Sequence, residues 1–432
     1  MGVRATATAG AHHSCMTETM NAPEIGEDSS MQGTRSASER GWPAVLAVFL
    51  CGTFAFVDLY CTQPLLPLLE RMFHATEAQV GVTISASTVG VAISAALLAI
   101  FAEQVNRKRM IVGAMGMLAF CTLMAATASG LPSLAVWRVL QGLVTPGVFI
   151  LTIAYITEEW PALRVPRVMS VYVAGTVFGG FLGRLSGGLI GARFGWRPVF
   201  VTLGLFGFAG MALTQWLLVP AHAPRTSLKR SLGEYFGPVR RNIRNPALLA
   251  TFGVGFSMLF TLVAVFSYVT FYLTAAPFLL STEQVSWLFA VYLFGLVATL
   301  AMGAVLVRIG LRPGMLIAVS LCVAGAVLTM VPTIWFVAAG LALTGAGVFI
   351  AQTCANSFLR DAAPEGHRVA AAGMYICSYY IGGTAGGVLP GMLWRHGGWT
   401  MCVGLTCAVL VMGGVFTFFG WRTRVPEPIP VG

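Results

Sequence analysis

Three ionisable residues stand alone within long apolar stretches: Asp58 in the run 41–69, Arg138 at the head of the run 139–157, and Arg184 in the run 168–192. On membrane-insertion scales an Asp or Arg at mid-bilayer costs about 2.5–3.5 kcal/mol, so each needs a partner or a purpose. One acid facing two bases offers two readings. It can be a structural ion pair that fixes three helices. It can also be a proton carrier, because a carboxylate whose charge depends on a movable arginine exchanges its proton as the arginine moves. At the helical rise, Asp58 and Arg184 lie roughly 24 Å into their spans and Arg138 roughly 8 Å into one of opposite direction, so all three are expected in the same half of the bilayer. Their formal excess of one positive charge must be met by a substrate carboxylate or phosphate, or by backbone carbonyls and water.

A second charged group, Glu103, Arg107 and Lys108, falls in a short loop between apolar runs, where a carboxylate can latch onto the positive N-terminal end of a neighbouring helix. Further polar or aromatic groups within the runs are Gln63, Gln141, Tyr268, Tyr272, Gln352, Asn356, Tyr375 and Tyr379. Interhelical hydrogen bonds and interfacial anchoring are the plainer reading of each.

Other chemistries lack their residues. The six histidines fall at 12, 13, 74, 222, 367 and 396, with no His-Glu-x-x-His, and neither Lys108 nor Lys229 ends a phosphate-binding Gly-x-x-x-x-Gly-Lys run. Eight of the nine cysteines lie inside apolar runs without paired metal-ligand spacing. The expectation is therefore no enzyme, no cofactor and no metal.

The elements that must carry the three charges are membrane helices. Hydrophobic residues make up 57% of the 432 and charged ones 10%, against about 25% charged in ordinary soluble domains. Uncharged runs at 78–102, 110–137, 139–157, 198–221, 245–282, 284–307, 313–359, 369–394 and 397–421 are long enough for crossings of roughly 20 residues. Two more are interrupted only by Asp58 and Arg184, and turn residues at Gly130-Leu-Pro-Ser133 and Val331-Pro-Thr333 divide the longest. Continuous rather than alternating apolarity selects helices over a β-barrel, and the count is twelve. The fold class expected is thus an all-α membrane protein of twelve transmembrane helices in two pseudo-repeated six-helix bundles. Residues 1–40 read as a disordered cytoplasmic tail, 41–221 as the first bundle, 222–245 as a basic linker, 246–421 as the second bundle and 422–432 as a second tail.

With the N-terminus inside, 20 of the 26 Lys and Arg fall on the cytoplasmic side, four (Arg71, Arg193, Arg197, Arg395) outside, and two within the membrane. This bias makes both termini cytoplasmic and accounts for the net charge of +10 without a nucleic-acid partner. The halves also repeat. Tyr172, Gly179-Gly180, Gly183 and Gly195-Trp196 recur as Tyr375, Gly382-Gly383, Gly386 and Gly398-Trp399 at an offset of 203. Thr145–Ile150 recurs as Gly345–Ile350 at an offset of 200, and Val57, Tyr60 and Thr62 recur as Val269, Tyr272 and Thr274 at an offset of 212. Duplicated halves place a substrate site at their interface near mid-membrane.

At this point the chain, over about residues 40–422, resembles the major facilitator superfamily. Its loop Ala99-Ile-Phe-Ala-Glu103-Gln-Val-Asn106-Arg107-Lys108 is similar to the family's Gly-x-x-x-Asp-x-x-Gly-Arg-Lys, with both glycines lost and Glu for Asp. In the fourth span, Arg138-Val-Leu-Gln141-Gly142 is similar to the Arg-x-x-Gln-Gly element of proton-coupled members. Gly175-x-x-x-Gly179-Gly180-x-x-Gly183-Arg184 in the fifth resembles the antiporter element, with Gly180 for Pro and Arg184 for Gly. The run Asp58–Pro67 looks closest to the bacterial drug- and arabinose-efflux-like branch. The resemblance implies a monomeric, multi-pass protein of the bacterial inner membrane exporting a small organic solute by proton antiport; the alternative is proton-coupled uptake of a sugar or organic acid. Glycines 175, 179, 183 and 187, matched by 383 and 387, make four-residue stripes that serve either as helix packing or as the sliding surfaces of alternating access.

Overall fold

The first helix, α1 (Trp42–Tyr60), ends where Pro64 and Pro67 remove two backbone donors; a 3-10 turn at Gln63–Leu65 leads into α2 (Leu66–Phe73). In this computed structural model the described residues are 41–101, 106–219, 232–295, 297, 306, 308–364 and 367–421. The expected tails and Glu103 lie outside them. The chain continues as α3 (Glu77–Phe101), α4 (Arg107–Ala125), α5 (Leu131–Glu159), α6 (Val165–Phe194), α7 (Trp196–Leu217), α8 (Leu232–Ile243), α9 (Pro246–Thr274), α10 (Thr282–Leu288), α11 (Leu311–Leu328), α12 (Ile334–Ala362) and α13 (Arg368–Gly420). No strand occurs among the described residues.

Helix starts follow local chemistry. Thr76 and Gln79 exchange side-chain-to-backbone bonds of 2.8 and 3.2 Å ahead of α3, as Ser281 and Gln284 do at 2.9 and 3.2 Å ahead of α10. Asn106 accepts from the Arg109 amide to cap α4, and Asn245 from the Ala247 amide to cap α9.

Ten helical stretches among the described residues are long and apolar enough to cross a membrane. One of them, Ala370–Gly420, has 51 residues. At 1.5 Å per residue that is about 76 Å, far beyond a hydrocarbon core of about 30 Å. The backbone leaves helical geometry at Gly397 (φ −179°, ψ 21°) and Gly398 (φ 55°, ψ −138°), so α13 is two helices joined at a turn. Gly195 (φ 85°), 203 positions earlier, makes the equivalent turn before Trp196. The segment 222–245, expected as a basic linker, contains α8.

Successive long helices reverse direction, giving a terminal face, which carries residues 41, 245 and 421, and a distal face, which carries the turns near 75, 195 and 397. Within the first half α1 packs on α6, and α5 lies between α3 and α4; in the second, α9 packs on α13 and α11 on α12. Large apolar side chains including Trp216, Trp335 and Phe419 are exposed, while many threonines and serines are buried. That distribution suits a lipid solvent.

The glycines explain the tight pairs. A methyl group on Gly175, Gly179, Gly183 or Gly187 would overlap the carbonyl oxygen of Phe49, Thr53, Val57 or Cys61, so this stripe seats α6 on α1. Gly382 and Gly386 stand in the same relation to the carbonyls of Phe256 and Phe260 on α9. Two corrections follow. The packing counterparts of the first stripe are Gly382 and Gly386, whereas Gly387 faces Ser85 and Gly81 on α3 of the other half, and Gly383 meets Leu259 on α9 with Thr88 of α3 a little farther off. And α9 matches α1 at an offset of 203, which pairs Val57 with Phe260, rather than at 212.

Contacts between the halves involve the pairs α3 with α13 and α6 with α10. Ser85 Oγ donates to the Thr384 carbonyl at 2.6 Å, Thr88 and Thr384 share a hydroxyl bond of 3.0 Å, and Arg193 pairs with Glu283 at 3.0 Å. These lie between the distal face and the middle of the molecule, where Phe149 stacks on Tyr380 at 6.2 Å. The structure is therefore closed at its distal face.

Candidate functional site

Where α1 gives way to its 3-10 turn, the backbone has carbonyls that no helical amide can reach. Arg138, fully buried on α5, supplies the donors: Nη1 bonds to the Asp58 carbonyl at 2.7 Å and Nη2 to the Leu59 carbonyl at 2.8 Å. Its Nε bonds to the Thr83 carbonyl at 3.1 Å, and the remaining donors reach Gln141 Oε1 at 2.8 Å and Ser87 Oγ at 3.0 Å. All five N–H groups of the guanidinium are thereby used, tying α1, α3 and α5 together. Gln141 completes the set by donating to Thr122 Oγ1 at 2.8 Å, which joins α4. Gly142 lets α5 approach α3, since a methyl group there would overlap the Ser87 carbonyl.

Asp58 is buried, and its Oδ1 has no hydrogen-bond partner. Neither arginine forms an ion pair with it: the ion pairs among the described residues are Arg107–Glu158, Arg193–Glu283 and Arg360–Asp361. The picture of two arginines competing for one carboxylate is thus corrected for this state. Arg138 lies next to Asp58 but binds its backbone, and a saturated guanidinium has no donor left for the carboxylate.

Arg184, also fully buried, takes a different set of partners. Nε donates to Gln63 Oε1 at 2.6 Å and Nη1 to the Gly180 carbonyl at 2.8 Å, while Nη2 has no partner. The cation sits over the rings of Tyr60 at 4.3 Å and Tyr292 at 4.4 Å, with Phe266 and Phe289 at 5.5 and 5.9 Å. Gln63 turns its amide to Ser267 Oγ at 3.1 Å, so the cluster spans both halves.

Beyond it, Tyr379 contacts Tyr380 at 5.5 Å and Tyr375 at 6.0 Å, and the Tyr375 hydroxyl is buried without a partner. Tyr268 donates to the Gly387 carbonyl at 2.7 Å, and Tyr272 stacks on Trp399 at 5.5 Å. Gln352 is half-buried and Asn356 exposed. At the terminal face Arg107 holds Glu158 in a two-pronged bond of 2.9 and 3.1 Å; Lys108 is half-buried nearby in sequence. Sequence reasoning missed Thr83, Ser87, Ser267 and the four-ring cage. None stands out among apolar and hydroxyl residues until helices from distant parts of the chain meet.

Residues 48–282 and 260–432 match the profile of the Major Facilitator Superfamily. The Escherichia coli K12 inner membrane transport protein YnfM is 30% identical over 367 residues, covering 84% of this chain and 87% of its own. The MFS-type transporter YybF of Bacillus subtilis is 26% identical over 366 residues, covering 85% and 90%. Among solved structures, an inward-facing, unoccupied bacterial homologue of the human lysosomal transporter Spinster superposes with a TM-score of 0.71 at 18% identity, covering 88% of this chain and 96% of that one. A point mutant of the nucleoside transporter NupG gives 0.73 at 14% identity, with 88% and 100% covered. Those two likenesses concern the fold, and together with the sequence matches they make the conclusion direct: the chain is a membrane transporter belonging to the major facilitator superfamily.

Proposed function

We propose that this transporter is a proton-coupled exporter of a small organic solute, working by alternating access with Asp58 as its proton carrier. The observation that carries the reading is the pairing of an unpartnered, buried carboxylate oxygen with a neighbouring arginine whose donors are all engaged elsewhere. Such a carboxylate exchanges its proton without breaking an ion pair, while Arg138 keeps the surrounding helices in place.

In this reading the chain spans the bacterial inner membrane twelve times, as the break in α13 and the apolar stretch following α10 support. The basic asymmetry puts both termini in the cytoplasm, which makes the distal face the outer one and the present state inward-facing. Rocking of the halves then proceeds along the α3–α13 and α6–α10 contacts, where Gly387 lies close to the α3 backbone at Gly81 and Ser85 and provides a side-chain-poor surface. Glu103, with Arg107 and Lys108, latches the cytoplasmic side in the opposite state.

Purified protein in liposomes with an imposed pH gradient tests this. Gradient-driven accumulation of a solute that collapses in Asp58→Asn supports it; full gradient-driven transport in that variant refutes it. Uptake by symport is the second reading, favoured by one observation: the unpartnered Nη2 of Arg184 suits an anionic solute, whose binding and protonation of Asp58 would reinforce each other.

A further inference from the structure

Resting on the transporter reading, we infer that Arg184 is the recognition point for the carboxylate of an organic monoanion with an apolar or aromatic body. A guanidinium stays charged in a protein, so this side chain carries a permanent positive charge into a fully desolvated place. No carboxylate among the described residues pairs with it, and its Nη2 meets no acceptor at hydrogen-bond geometry, although the neutral hydroxyls of Tyr292 and Tyr60 act on the cation from the cage. The Tyr60 and Tyr292 rings offset part of the desolvation, but a ring face is a weak partner beside a carboxylate oxygen, which a guanidinium edge binds with two parallel bonds. The partners of this cation are all neutral, so an acceptor bearing negative charge fits it best.

The repeat shows that packing does not demand the charge. At an offset of 203 the counterpart of Arg184 is Gly387, which lies close to the α3 backbone. The cage is also divided between the halves: Tyr60, Gln63 and Gly180 belong to the first, and Phe266, Phe289 and Tyr292 to the second. Parting of the halves at the distal face removes three rings together and bares the guanidinium. A carboxylate bound at that moment is covered on reclosure by the same rings, which receive its apolar body.

The test uses the full chain purified in detergent, with benzoate as probe against its neutral isostere benzamide and against sodium chloride, followed by tryptophan fluorescence and thermal shift. Benzoate alone is expected to bind, with affinity about tenfold or more weaker in Arg184→Gln, as loss of a charge-assisted pair implies. In Arg184→Lys, which keeps the charge and loses the fork, affinity is expected to fall between the two. Equal responses to benzoate and benzamide overturn the inference, as does an equal response to chloride, which would mark an inorganic-anion site. Should the Gln variant not fold, unchanged benzoate affinity in the Lys variant overturns it alone. Gradient-driven flux of a neutral solute that is indifferent to Arg184→Gln sinks the anion site and leaves the transporter reading standing. Arg184-dependent benzoate binding with no flux under any gradient does the reverse.

Discussion

Arg138 binds the main-chain oxygen of Asp58 at 2.7 Å and makes no hydrogen bond to its carboxylate. The two residues therefore fail in different ways. Asp58→Asn removes the proposed proton carrier but disturbs none of the five Arg138 bonds. Folding and solute binding or exchange at equilibrium are expected to persist while pH-driven accumulation is lost. Arg138→Met strips donors from three buried carbonyls and from Gln141, and such orphaned groups cost about 1–3 kcal/mol each. A marked fall in melting temperature and in membrane yield is expected. Thermal melts of both variants beside wild type check the contrast; equal destabilisation would refute it.

Glycines of the two kinds of interface should separate fold from conformational change. Gly183→Ala pushes a methyl group into the Val57 carbonyl inside one half and is expected to cost about 1–3 kcal/mol of stability in either state. Gly81→Ala pushes one into the Gly387 carbonyl across the halves, so its cost falls only on the distal-closed state. A cysteine pair at Arg193 and Glu283, now bridged at 3.0 Å, reads that state out by cross-linking. Its yield is expected to drop in Gly81→Ala and to hold in Gly183→Ala.

At the terminal face the Arg107–Glu158 pair joins two elements of the same half, with side-chain exposures of 12% and 48%. A half-exposed pair of this type contributes about 0–1 kcal/mol, so Glu158→Gln is expected to leave the melting temperature nearly unchanged. Glu103→Gln is expected to shift cysteine labelling of terminal-face cavity positions toward the open form. Unchanged labelling would remove the latch.

Reporter fusions decide the orientation. A fusion at residue 235 or at the C-terminus is expected to be active with a cytoplasmic reporter and silent with a periplasmic one, because 20 basic residues against four favour that arrangement. The opposite pattern would invert the membrane placement of the whole site.

The sequence by itself determined the helical class, the positions of most candidate spans, the repeat and the three charges buried within those spans. Each rests on a local rule: a hydrocarbon solvent demands long apolar helices, and an isolated charge in such a run is conspicuous whatever the fold. The Gly-Trp pairs at 195 and 398 were legible only as part of the repeat, and the positive φ that turns the chain at each glycine came from the structure. Which charge meets which partner was decided only by tertiary structure. Arg138 satisfies backbone carbonyls exposed by the break after α1, and carbonyls carry no signature in a sequence. Arg184 is held by rings and a glutamine drawn from both halves, and nothing in the spacing of Tyr60, Gln63, Phe266, Phe289 and Tyr292 announces that they converge. The misaligned offset of 212 has a similar cause: matching letters in α1 and α9 mislead, whereas the carbonyls that receive Gly183 and Gly386 fix the correspondence at Val57 and Phe260, because backbone approach at a glycine admits a single register.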